Sequence, residues 1–149
     1  MTVLSAQTIA NLQLVSPLHP RTEHPEARMS YGLSACGYDV TLDQDVHLSP
    51  GQFCLASTAE RFRMRNFVVG IVHDKSTLAR RGVAVQNTVI EPGWRGYLTL
   101  ELTNHGPERV SLLRGWPVAQ ILFHRLDLET EAPYSGKYQN QERGPQGPR

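Results

Sequence analysis

The sequence predicts an all-β fold, an antiparallel sandwich, jelly roll or barrel. Two observations carry this prediction. Between residues 37 and 126 short apolar segments alternate with turn residues at roughly ten-residue spacing. Within that stretch, residues 96–104 alternate strictly, with Leu98, Leu100 and Leu102 separated by polar side chains. About seven or more such segments in a chain of 149 residues make one β domain.

The elements follow in order. Residues 5–14 form a short helix, with Ser5 as N-cap and Ile9 and Leu12 three apart on one face. Residues 15–34 hold Pro17, Pro20 and Pro25, with charged residues between Arg21 and Glu26, and read as irregular or edge structure. Strands are predicted over 38–42, 52–58, 67–73, 83–90, 96–104, 109–113 and 118–126. The breaks fall at Ser49-Pro50-Gly51, Glu91-Pro92-Gly93, Asn104-His105-Gly106-Pro107 and Arg114-Gly115-Trp116-Pro117. After Leu128 the chain turns polar. Residues 135–149 hold three glycines and two prolines and almost no aliphatic side chain. Such a tail is expected to order only on a ligand or a neighbour.

Composition excludes several function classes. A domain of this size buries about two-thirds of its unfolded surface, so it needs no disulfide or metal to fold. Lys plus Arg is 15 and Asp plus Glu is 14, and the net charge of +1 argues against a nucleic-acid binder. No apolar run approaches ~18 residues, so no membrane span is expected. Residues 1–14 lack a basic start followed by a long apolar stretch, so no secretory signal is expected. Cys36 and Cys54 match no zinc spacing and cannot form a disulfide framework. A reduced, cytoplasmic protein is the simplest reading.

Two segments hold candidate chemistry. In 96–104 the three leucines share one face, and Glu101 stands on the other between Thr99 and Thr103. Either that face meets water, or it lines a site in which Glu101 is the acid and base; alternation alone does not choose. The second segment is H-D-K-S-T-L-A-R-R-G (73–82). If it makes one helical turn, Ser76 and Arg80 share a face. A hydroxyl, exposed backbone N–H groups and Lys75 at such a turn suit an anion, or equally a capped surface turn. The chain has no G-x-S-x-G elbow, no Walker loop, no H-E-x-x-H and no H-x-E with P-C-x-x-C. The zinc route to nucleobase deamination is therefore missing. The six histidines are scattered and are expected to be surface or capping residues.

In chain order stand G-Y-D-V (37–40), S-P-G-Q-F-C-L-A-S-T-A-E-R (49–61), D-K-S-T-L-A-R-R-G (74–82), V-I-E-P-G-W-R-G (89–96), L-T-L-E-L-T-N (98–104), G-W-P-V-A-Q-I-L-F (115–123) and G-K-Y-Q-N-Q (136–141). Together they resemble the dCTP deaminase branch of the dUTPase-like superfamily, over residues from about 35 to 145. The resemblance implies a distorted jelly-roll β-barrel over residues 1–149 as one domain, with residues from about 130 to 149 as a lid. It implies a homotrimer with active sites between subunits, a deoxycytidine nucleotide as substrate, Mg²⁺ carried with the triphosphate, and no zinc.

The resemblance also implies roles. Glu101 falls on the proton shuttle, and Ser76 and Arg80 on its two companions. Lys137, Tyr138 and Gln141 fall on the tail motif that closes over the nucleotide, and Tyr134 on the tail's upstream tyrosine. Gln120 and Trp94 fall on the late-strand glutamine and on the aromatic near the sugar. Lys75 and Thr77 flank Ser76 at the phosphate turn. Gln86 and Asn87 sit in the wall that reads the base, and Glu91 in the V-I-E motif.

The residue types fit hydrolytic deamination. One glutamate can take the proton of a water attacking C4 of cytosine, pass it to N3, and then help protonate the leaving amine. Burial would raise its pKa toward neutrality, while a nearby Arg80 would oppose that shift and fix the carboxylate. Ser76 would hold the water or the developing oxyanion.

The related alternative is dUTP diphosphatase, whose V-I-D aspartate is Glu91 here and whose Arg-Ser-Gly turn is Lys75-Ser76-Thr77. Glu101 itself is the deaminase mark. Three departures keep other readings open. The segment between Arg80 and Ile90 is about two residues shorter than in typical deaminases and lacks their H-x-T-A pattern, which admits a 5-substituted cytosine. The tail also resembles bifunctional members that carry dCTP through to dUMP. Lys75 in place of arginine loses bidentate phosphate contacts. A non-catalytic nucleotide-binding trimer is the reading from another class.

Overall fold

The computed structural model describes residues 2–149. In chain order the elements are β1 (Thr2–Val3), α1 (Ala6–Leu12), β2 (Val15–Ser16), β3 (Thr22–Glu23), β4 (Ser30–Ser34), β5 (Gly37–Thr41), β6 (Val46–Leu48) and β7 (Phe53–Arg63). They continue with β8 (Val68–Asp74), α2 (Ser76–Ala79), β9 (Val83–Val85), β10 (Val89–Ile90), β11 (Arg95–Asn104), β12 (Val110–Leu112) and β13 (Pro117–Arg125). One sheet has the order β10-β8-β13-β5-β4-β3, with β1 also paired to β13; a second runs β2-β7-β11-β9; β12 and β6 form a third. Every ladder is antiparallel.

The alternation in β11 does what its period requires. Leu98, Leu100 and Leu102 are buried, and Tyr97, Thr99, Glu101 and Thr103 are half-exposed on the other face. The leucines join one core with Val40, Val72, Ile121 and Phe123 of the large sheet and Phe62 of the small one, all of these fully buried except Leu98. Removing a side chain such as Leu100 would cost about 2–5 kcal/mol, transfer and cavity terms together. Phe62 is the aromatic hinge of this core, its ring 6.4 Å from those of both Trp94 and Phe123.

The helix forms as expected. Ser5 is its N-cap, accepting from the Thr8 N–H at 3.5 Å, and Ile9 is its fully buried residue. Three local expectations are corrected. The stretch 15–34, expected to be irregular or edge structure, does supply the edge strands β2 and β3, but it also contributes the internal strand β4, in which Gly32 pairs with Asp39. The region after residue 42 contains β6, paired with β12. The predicted strand 83–90 is two short strands in different sheets, because β9 pairs with β11 and β10 pairs with β8. Among the described residues no helix is long and apolar enough to cross a membrane.

Candidate active site

The turn 91–94 begins the site. Pro92 presets the second position, Gly93 has φ +83 at the third, and the Trp94 N–H donates to the Glu91 carbonyl at 3.1 Å. These are the marks of a type II turn. The turn delivers Trp94 into the core edge and starts β11, which carries Glu101 one strand-length further.

Glu101 lines a cleft of about 430 Å³ together with Glu91, Trp94, Tyr134, Tyr138 and Gln141. The two tyrosines and Gln141 reach it from the far end of the chain. Among the described residues only two buried side-chain polar atoms lack a hydrogen-bond partner, Glu101 Oε2 and His124 Nδ1, and of these only Glu101 lines this cleft. An orphaned buried polar atom is rare enough in a folded protein to need a reason. Burial pushes the Glu101 carboxyl above the usual carboxylate range, with a backbone hydrogen bond partly opposing the shift. A carboxyl with an unpartnered oxygen, partly desolvated in a cleft, is equipped to take and return a proton.

The tail does not wait for a ligand. It folds onto its own chain. The Trp94 indole N–H donates to the Tyr138 carbonyl at 2.7 Å, the Arg95 N–H to Gln139 Oε1 at 2.8 Å, and the Tyr97 N–H to the Gln141 carbonyl at 3.0 Å. Tyr138 N–H donates to the Tyr134 hydroxyl at 3.2 Å. Side-chain amides thus replace the apolar contacts whose scarcity made the tail read as disordered. Gly96 (φ +146) permits the approach, since a Cβ there would stand 2.7 Å from the Gln141 nitrogen. Lys137 stays exposed, its ammonium 5.1 Å from the Tyr138 ring and bonded to the Arg149 carbonyl.

The second predicted cluster lies elsewhere. Residues 76–79 do form one helical turn, with the Arg80 N–H donating to the Ser76 carbonyl at 3.1 Å, but no side chain caps it. Ser76, Thr77 and Arg80 are exposed and do not line the Glu101 cleft. Lys75, expected among the phosphate counter-charges, is instead buried, with its ammonium 2.9 Å from Asp39 Oδ2. Gln120 pairs in register with Asp39 on one side and His73 on the other, and its amide donates to Ser34 Oγ at 3.1 Å. Gln86 and Asn87 are exposed beside the cleft; the Gln86 N–H donates to the Glu101 carbonyl at 3.1 Å. Sequence reasoning missed Leu55, Thr99 and Gln146 as cleft residues. Thr99 was findable, because the period of two puts it on the Glu101 face.

Among the described residues no group of three or more His, Cys, Asp or Glu is placed to hold a metal ion. A family model described as dCTP deaminase-like matches residues 7–126. The chain belongs to the dCTP deaminase-like family. A dCTP deaminase of Acidobacterium capsulatum is 34% identical across 95% of this chain and 96% of its own length. A dUMP-forming dCTP deaminase of Methanopyrus kandleri is 41% identical over 107 residues, 68% of this chain, and the match spans 55% of that protein's length. Among solved structures, a dUTPase of Staphylococcus aureus phage phi11 with a structural Mg(II) ion has a TM-score of 0.61 at 15% identity, covering 83% of this chain and 97% of its own. The dUTPase of EIAV has a TM-score of 0.57 at 21% identity, over 68% and 84%. At these identities the likeness establishes the fold of this dCTP deaminase-like chain as a dUTPase-like jelly roll. The family match covers both β11 with Glu101 and the Ser76 turn, and it stops before the tail.

Proposed function

We propose that this chain hydrolyses the 4-amino group of dCTP, giving dUTP and ammonia, with Glu101 as the proton carrier. The observation that carries the reading is the buried, unpartnered Oε2 of Glu101 in the lining of the cleft. Water adds its oxygen to C4 while one of its protons passes through Glu101 to N3; Glu101 then takes the second proton from the C4 hydroxyl and delivers it to the amine, which leaves as ammonia as C4=O forms and the C4–N bond breaks. One carboxyl serves both steps because it gives up each proton before it takes the next, and burial raises its proton affinity above that of an ordinary carboxylate.

Trp94, Tyr134, Tyr138 and Gln141 form the wall for sugar and base, with Gln86 and Asn87 at the base edge. Ser76 and Arg80 act on the reacting atoms of a neighbouring subunit, in a homotrimer. Their exposure on this chain leaves them free to do so. Thr77, Gln120 and Lys137 are the remaining polar contacts for the triphosphate, and Lys75, tied to Asp39, fixes the Ser76 turn. Magnesium arrives with the triphosphate as part of the substrate. The free thiols of Cys36 and Cys54 accord with a reduced cytoplasm.

A second reading has one observation in its favour. The Methanopyrus relative is named as dUMP-forming, and Glu91 at the same cleft offers a second carboxylate, which would activate water at the α-phosphate. Purified protein given dCTP and Mg²⁺ tests both. Ammonia with dUTP supports deamination alone, and ammonia with dUMP and diphosphate supports the bifunctional form. Diphosphate from dUTP with no ammonia from dCTP would assign a plain diphosphatase, and no product at all would leave only a binder.

A further inference from the structure

Thr99 sits two residues before Glu101 on the same face of β11 and lines the same cleft. Its hydroxyl oxygen accepts twice from the tail, from the Gln141 side-chain amide and from the Gln146 backbone N–H, the latter at 3.0 Å. A hydroxyl has two lone pairs, so both bonds are made at once and the oxygen's acceptor capacity is filled. These two donors lie on either side of the bend at 142–145, and beyond it Gln146, Gly147 and Pro148 form part of the cleft's lining.

Among the described residues no other hydrogen bond ties residues 146–148 to the body of the chain. The other bonds of this segment, Gln146 to Gly144 and Arg149 to Gln146, Lys137 and Tyr138, run within the tail itself. Arg143 adds one outer tie, to Asp43 Oδ1 at 2.8 Å and over the Tyr97 ring at 4.9 Å, but it is half-exposed and therefore weak.

We propose that Thr99 is the latch that holds the end of the tail across the Glu101 cleft, so that one side-chain oxygen decides whether residues 146–148 cover it. Its consequence for turnover rests on the deaminase reading: a covered cleft excludes bulk water and orders the wall formed by Tyr138 and Gln141. Thr99 touches no reacting atom in this scheme. It is a positioning residue.

The test separates tail docking from chemistry. Trypsin cleavage after Arg143 reports how often the tail is open, because the protease samples the open population. Thr99→Val keeps shape and strand preference and removes both acceptor bonds. It should speed cleavage roughly tenfold, the effect expected for losing about two ordinary hydrogen bonds against water. Thr99→Ser should cleave at the parental rate, and Gln146→Pro, which removes the one backbone donor to Thr99 and otherwise only bonds internal to the tail, should fall between. In turnover, Thr99→Val should raise KM for dCTP with kcat much less affected, and Thr99→Ser should restore it. Parental cleavage in the valine variant, or equal acceleration in valine and serine variants, would overturn the latch. If the parent chain releases no ammonia from dCTP, the deaminase reading falls while the cleavage series still decides the latch.

Discussion

Lys75 and Asp39 form an ion pair inside the protein, Nζ to Oδ2 2.9 Å, with both side chains less than a tenth exposed. Ser30 Oγ donates to the same Asp39 oxygen at 3.2 Å. The pair ties β5 to the start of α2, one residue before Ser76. A buried pair of this kind adds little over a well-packed apolar pair, yet breaking it strands a charge.

Asp39→Ala should therefore destabilise the chain by about 3–5 kcal/mol. Thermal unfolding should show it as a drop of roughly 6–20 °C for a chain of this length. The double variant Asp39→Leu, Lys75→Met should recover most of that loss, because no uncompensated charge remains. Equal stability of the single and double variants would contradict the buried-pair account.

Glu60 predicts a pH dependence of stability unrelated to catalysis. It is fully buried in β7, its carboxylate accepting from the Thr41 N–H at 3.0 Å and the Thr41 hydroxyl at 2.9 Å, and burial pushes its pKa up to about 7. The folded chain therefore holds this proton in a range where the unfolded chain has lost it. The stability this provides is full below the ordinary glutamate value and is lost as pH rises through about 7. The swing is about 3 kcal/mol. Urea unfolding at pH 5 and pH 8 should show that swing in the parent and not in Glu60→Gln.

Mixing two inactive variants tests whether sites span subunits. Glu101→Gln and Ser76→Ala should each be nearly inactive alone. If Glu101 and Ser76 of one site come from different chains, a random mixture restores both intact residues in roughly a quarter of the sites. Ammonia release from dCTP should return to about that fraction after co-refolding. A mixture as inactive as its parts would place both residues on one chain or remove Ser76 from the site.

Much of the fold was legible because simple periods govern it. The leucine alternation of β11 and the Ser5 cap are local, and local physics decides them. β4 was not legible, because residues 15–34 carry three prolines and its pairing with β5 is a tertiary fact. Nor was the split at 86–88, where Gln86, Asn87 and Thr88 interrupt two apolar stretches without a glycine or proline to mark the change of sheet. In the site, Glu101, Trp94, Glu91 and, of the tail, Tyr134, Tyr138 and Gln141 converge on one cleft. Lys75 misled because a lysine beside a candidate anion site reads as a ligand, and only three-dimensional packing reveals Asp39 beside it. The tail misled because Gln139 and Gln141 dock it through amides, which leave no hydrophobic period.

The decisive measurement is ammonia release from dCTP by Glu101→Gln across pH. The amide fits the same space but cannot carry a proton, so the rate should fall by about 10²–10⁴-fold while dCTP still binds. The parent's rate should decline on the acid side around a pKa above that of an ordinary glutamate, in the direction burial shifts this carboxyl. A glutamine variant that releases ammonia at the parental rate would contradict the account.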